Sequence, residues 1–169
     1  MNFDELPLII IKAIRSSSDS EYMITVYFDG LCYPRNPCGV AAYGYLIYRD
    51  DLIIHKGFGA VGEGKGMTNN VAEYEGLKAA AQWLKDNGIN EKIIIKGDSQ
   101  LVIKQINGEW QVSSATSKKY VPQIKRLLEG MDINFVWTPR EENQEADKLS
   151  RVAYERYKSQ KQNLKRAKS

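Results

Sequence analysis

The chain has 169 residues, 43% of them hydrophobic and 27% charged, which are values of a globular domain with a core and not of a disordered polymer. Of its 24 Lys and Arg and 21 Asp and Glu, seven basic residues and one acid fall between Arg151 and Ser169, leaving 17 basic against 20 acidic residues in the first 150. A basic end on a mildly acidic body suits a polyanionic partner.

Residues 1–20 stand apart, with an apolar patch, LPLIIIKAI, followed by the loop-like RSSSDS. The apolar run at residues 8–11 is short, follows Asp4 and Glu5 and lacks a small-residue cleavage site, so it does not read as a secretory signal. No run approaches the roughly 20 apolar residues of a membrane helix. An intracellular, cytoplasmic chain without a membrane partner is expected.

MITVYFD then predicts a strand that closes at an Asp29-Gly30 turn. The Pro- and Gly-rich loop LCYPRNPCG follows. It holds both cysteines, Cys32 and Cys38, which form neither a disulfide framework nor a zinc site, so free thiols are the default expectation and a local bridge between the two the alternative. VAAYGYLIYR and LIIHKGFGAV flank Asp50-Asp51 as the arms of a hairpin, placing the single histidine, His55, inside a strand as a packed or exposed sheet residue rather than a base.

After the glycine-rich loop VGEGKGMTNN, apolar residues at Val71, Tyr74, Leu77, Ala81 and Leu84 predict a helix that Asn87-Gly88 stops. Ile93, Ile94 and Ile95 read as a strand buried on both faces, and Leu101, Val102 and Ile106 as a short helix after it. A further helix over 118–129, a last strand INFVWT and a helix from about residue 142 complete the order. Three strands joined by tight loops, then strand–helix–strand units, predict an α/β fold with a mixed sheet covered by helices.

Four acids sit near element ends: Asp29, Glu73, Asp98 and Asp147. Each has an ordinary structural reading. Asp29-Gly30 suits a turn, Asn70-x-x-Glu73 a capping box, Asp98 a helix cap, and Asp147 an ion pair with Arg151. Together they suggest more, because two strands ending in acids at one sheet edge would crowd their carboxylates. Such crowding calls for a hard divalent cation, Mg²⁺ first.

Four blocks, YFDGLCYPRNPCG, TNNVAEYEGL, IKGDSQLVIKQINGEW and REENQEADKLS, resemble in order the motifs of type 1 ribonuclease H over about residues 22–155. The resemblance implies a ribonuclease H-like fold, a five-stranded mixed sheet whose first three strands are antiparallel, with helices on both faces. It implies hydrolysis of the RNA strand of an RNA–DNA hybrid to 5′-phosphate and 3′-hydroxyl ends by two Mg²⁺ ions about 3.5–4 Å apart, with Mn²⁺ as substitute. Asp29 would bridge both ions, Asp147 would hold the ion of the attacking water, and Glu73 and Asp98 the other.

For substrate, the resemblance implies Asn36, Asn69 and Asn70 at the minor groove, Thr68 near a DNA-strand phosphate and Gly30 as a further substrate-binding residue. Trp110 would lie along the DNA side, unless it is a core aromatic, and SSATSKK supplies further phosphate candidates. Transposases, junction resolvases and proofreading exonucleases share the fold and act on DNA, whereas the asparagines suit the 2′-hydroxyl side of RNA. Two departures stand out. The loop before Asp147 has no histidine, leaving Arg140 or Glu142 as replacements, and the basic protrusion of some bacterial members is absent. The division expected is an extension at 1–20, a ribonuclease H domain at 21–157, and a basic tail at 158–169 that supplies part of the lost phosphate affinity. A monomer with no protein partner is the simplest expectation.

Overall fold

The protein is described by a computed structural model over residues 22–168, so the expected extension at 1–20 lies outside the described residues. β1 (Met23–Tyr33), β2 (Val40–Arg49) and β3 (Leu52–Glu63) form an antiparallel meander. Asp50, at φ +50°, turns the hairpin between β2 and β3. α1 (Asn69–Asp86) crosses back to β4 (Lys92–Gly97), and α2 (Gln100–Ile106) and α3 (Ala115–Leu127) lead to β5 (Ile133–Trp137). A 3₁₀ turn (Arg140–Glu142) precedes α4 (Gln144–Ala167). The sheet order is β3-β2-β1-β4-β5, with β4 parallel to both β1 and β5.

The two faces of the sheet take different helices. On β2, Tyr43 meets α1 at Gly76, while its neighbour Gly44 meets α4 at Leu149 and Ser150. Successive strand residues point to opposite faces, so α1 and α4 sandwich the sheet. The main core lies on the α1 side, where Ile24, Val26 and Phe28 alternate along β1 with no accessible surface. His55 belongs to the packing as expected: its ring stacks on Trp83 at 4.8 Å and meets the Tyr45 hydroxyl at 3.2 Å.

Some local expectations are corrected. β1 does not end at Asp29 but runs on to Tyr33, because its ladder with β2 continues to Tyr33↔Val40. Ile93 and Ile95 are buried, but Ile94 is only half-buried, since α4 lies across β1, β2 and β3. α3 starts at Ala115 because the Ser114 hydroxyl caps it, accepting from the Ser117 amide at 3.0 Å. Ser117 is fully buried, so Ser114 and Ser117 of SSATSKK serve the helix start. The basic segment from Lys158 continues α4 without a break.

Gly44 decides how closely α4 approaches. A Cβ there would lie 2.4 Å from Leu149 Cβ and 2.6 Å from the Ser150 amide nitrogen, with backbone unable to yield. Gly44→Ala is expected to lift α4 and cost on the order of 1–3 kcal/mol, the usual range for overpacking, as read by equilibrium denaturation.

Candidate active site

The register of the parallel pair builds the centre of the site. The β1–β4 ladder ends at Phe28↔Gly97, and the next residue of each strand is an acid, Asp29 and Asp98. Neighbouring strands lie roughly 4.8 Å apart, so these carboxylates emerge side by side. Beyond this point β1 continues only with β2, where Asp29 pairs with Gly44.

Helix α1 brings the third acid. A Cβ on Gly30 would come within 2.3 Å of the Glu73 amide nitrogen, so only glycine lets α1 rest on β1 beside Asp29. Oxygens of Asp29, Glu73 and Asp98 all lie within 4.8 Å of one another. The fourth acid, Asp147, sits in the first turn of α4, where Ala146 and Ser150 flank it against Gly44. It stands outside the trio but close enough to act electrostatically on Asp29 and Asp98.

The ordinary readings of these acids are settled by their neighbours. Asp29 is a strand residue, not a turn. Thr68, not Asn70, caps α1 by accepting from the Val71 amide at 3.1 Å, so Glu73 stands in the second turn with no capping role. Ser99, not Asp98, caps α2 through the Val102 amide. Only the Asp147–Arg151 ion pair forms as expected, at 3.1 Å.

Electrostatically the cluster is under load. Burial pushes the Asp29 carboxyl up to about 7, helped by the charges of Asp98 and Asp147. Burial also raises Glu73 well above the ordinary carboxyl range, with Asp29 and Asp98 adding repulsion. Asp98 is raised too, by burial, against the relief of an Asn143 hydrogen bond and of Arg140 at 3.9 Å. Glu73 Oε2 is buried with no hydrogen-bond partner among the described residues. A buried, unpartnered carboxylate oxygen facing two more carboxylates is the donor set of a hard divalent cation. The residues fit the metal.

Asn143, absent from the sequence expectations, ties the site together. It is 1% exposed, and its side-chain amide donates to the Phe28 carbonyl at 2.9 Å, while its backbone carbonyl accepts from the Asp147 amide at 3.1 Å. It thus links the strand of Asp29, the carboxylate of Asp98 and the helix of Asp147. Its place four residues before Asp147 in REENQEADKLS was the available signal.

The other candidates lie around this centre. Asn36 accepts from the Asn69 amide at 3.1 Å, binding the β1–β2 loop to the start of α1, where Asn69 and Asn70 are exposed. Trp110 is 44% exposed, with Lys104 over its ring, so it is not a core aromatic. Cys32 and Cys38 are free thiols. A cleft of about 370 Å³ beside the acids is lined by Asp29, Gly30, Asn69, Asp147 and also Arg151 and Tyr154, the last not foreseen.

A mixed sheet in this order, with acids just past the end of the parallel ladder between its central strands β1 and β4, defines a ribonuclease H-like domain. A family model described as reverse transcriptase-like matches residues 39–153. The solved RNase H1 of the halophilic archaeon Halobacterium salinarum superposes with a TM-score of 0.70 at 34% identity, over 79% of this chain and 98% of that one. LC11-RNase H1, solved in complex with RNA/DNA hybrid, superposes with a TM-score of 0.72 at 30% identity, over 79% of this chain and 98% of that one. In sequence, Ribonuclease HI of Halobacterium salinarum is 36% identical over 132 residues, 77% of this chain. The chain belongs to the type 1 ribonuclease H family. It spans 63% of the length of that last relative, so less than two thirds of it. Among the described residues no helix is long and apolar enough to cross a membrane.

The raised acids make the metal-free protein sensitive to pH in a defined direction. The folded state holds a proton on Asp29 that the unfolded state releases, so folding stability should fall as pH rises from the ordinary 3.8 towards about 7. Thermal scans without divalent ions should show this decline, and Mg²⁺ at neutral pH should reverse it. Asn143→Ala, which strips the Phe28 carbonyl of its donor, should cost about 1–3 kcal/mol in denaturation and weaken Mg²⁺ binding roughly tenfold by calorimetry.

Proposed function

We propose that this chain is an endonuclease that hydrolyses the RNA strand of RNA–DNA hybrids, leaving 5′-phosphate and 3′-hydroxyl ends. The observation that carries the reading is the convergence of Asp29, Glu73 and Asp98 within 4.8 Å, with a buried glutamate oxygen left unpartnered, in a member of this family. Asp29 interacts with each of the other three acids and would help hold both of two Mg²⁺ ions, with Mn²⁺ as substitute. Glu73 and Asp98 would complete one position and Asp147 the other. Bound divalent ions supply a water of lowered pKa and charge neutralisation for the phosphodiester.

The remaining work falls to the chain itself. The end of β4 is anchored by the Trp137 indole, which donates to the Asp98 carbonyl at 3.0 Å, and by the Thr138 amide on the Gly97 carbonyl. That anchoring holds Asp98 within the tolerance a metal ligand needs. Arg140 and Arg151 neutralise Asp98 and Asp147 and lie where a phosphate would enter. Arg140 stands in the loop where other members carry a histidine. Glu142 is committed otherwise, accepting from the Thr138 hydroxyl at 2.9 Å.

Selection of the hybrid rests on Asn36, Asn69 and Asn70, whose side chains both donate and accept and so suit 2′-hydroxyls and minor-groove base edges. Gly30 and Thr68 shape the floor beneath them: Gly30 by letting α1 approach, Thr68 by capping it. Trp110 presents an exposed ring for the DNA strand. A monomer in the cytoplasm with no protein partner completes the reading.

The test is cleavage of labelled RNA–DNA, DNA–DNA and RNA–RNA duplexes with Mg²⁺ or Mn²⁺. Cutting is expected in the RNA strand of the hybrid. Asp98→Asn, folded by circular dichroism, should lose at least roughly a hundredfold in rate. Normal cutting by that variant would overturn the site, and preference for DNA–DNA would overturn the substrate.

A further inference from the structure

The catalytic acid of α4 begins a straight row. Asp147, Arg151, Tyr154, Lys158, Lys161 and Lys165 follow one another at spacings of four and three residues, which sets them on one face of the helix. From Asp147 to Lys165 the row is about 27 Å long, at roughly 1.5 Å per residue. It is contiguous in the folded molecule. The cleft beside the acids is lined by Asp147, Arg151 and Tyr154. A second cleft, of about 270 Å³, is lined by Tyr154 again with Lys158, Lys161 and Lys165, against Pro34 and Glu63. Tyr154 joins the two, held edge-on to Tyr33 at 5.2 Å.

Lys158, Lys161 and Lys165 share one face and one cleft, while Ser159, Gln160 and Asn163 line a different stretch of the helix together with Glu155 and Arg156. Two of the row's lysines have acidic neighbours, Lys158 with Glu155 at 3.6 Å and Lys161 with Glu63. Both pairs are on exposed side chains, where an ion pair contributes little and yields readily to a better anion. Like charges a helical turn apart repel, and Glu155 and Glu63 offset that repulsion only from exposed positions.

We infer that this row is a track for a phosphodiester backbone of the hybrid beyond the cleaved bond, extending the substrate contact from the acids to the end of α4. The inference rests on the hybrid-cleaving function proposed above. An amphipathic helix face carrying cations at regular spacing and an aromatic ring matches a single nucleic-acid backbone, whose charges also recur at regular intervals. The family match ends at residue 153, before the three lysines begin.

The test compares the full chain with Lys158→Gln/Lys161→Gln/Lys165→Gln, both in an Asp98→Asn background with Mg²⁺, binding a hybrid of about 24 base pairs and one of about 8. These exposed lysines lie outside the core, so the variant should fold, and circular dichroism checks it. On the long hybrid the salt dependence should weaken by about two to three units of log–log slope, at roughly 0.9 per phosphate contact. On the short hybrid it should stay unchanged. A control, Lys85→Gln/Lys92→Gln at the end of α1 and the start of β4, should change neither.

An unchanged slope on the long hybrid, or equal loss on both lengths, would overturn the track. So would a control that matches the triple variant. Cleavage by the otherwise unmodified chain, run in parallel, tests the proposed activity separately, because the slope is measured whether or not the hybrid is cut.

Discussion

The site depends on one pairing, Phe28 opposite Gly97 in a parallel ladder. It sets the two following residues, Asp29 and Asp98, at the same height on adjacent strands and pointing out of the same sheet edge. Slipping β4 by one residue would send its side chains to the opposite face. Such a slip would bury Lys96 in place of Ile95, so the hydrophobic pattern of the core enforces the register that the acids need. Stability and chemistry are specified by the same alternation.

Two glycines do for the helices what that register does for the strands. Gly30 and Gly44 flank Asp29 along and across the sheet, and each removes the Cβ that would hold a helix away. Through Gly30, α1 delivers Glu73; through Gly44, α4 delivers Asp147. The result is a nest whose members repel one another, with burial as the largest contribution to the raised proton affinity of Asp29 and Glu73. Such an arrangement persists only because the sheet and both helices over-determine it.

The arginines show how the protein manages that charge at its periphery. Arg140 and Arg151 approach the two outer acids, Asp98 and Asp147, and among the described residues no ion pair reaches the inner pair, Asp29 and Glu73, which Arg151 meets only at longer range through Asp29. The gradient runs from a core of unpaired carboxylates, through guanidinium-paired ones, to the lysines on the far turns of α4. A polyanion bound to a divalent-ion site meets this sequence of charges in the order it requires, neutralisation at the reacting bond and attraction beyond it.

By itself the sequence determined the kind of elements and their order, because period-two and helical spacings are local signals that the sheet and helices then obeyed. It also marked the acids and the family, since motif blocks are read along the chain. It did not determine that β1 continues past Asp29, that Thr68 and Ser99 take the capping work, or that Ile94 is only half covered. Those outcomes turn on which strand or helix lies alongside. Asn143 escaped notice for the same reason: its value lies in contacting the Phe28 carbonyl and Asp98, 115 and 45 positions away along the chain. Tertiary structure alone decided that three acids meet within one ion's reach while the fourth waits on Arg151, because distance between side chains is set by strand register and helix approach and not by spacing in the chain.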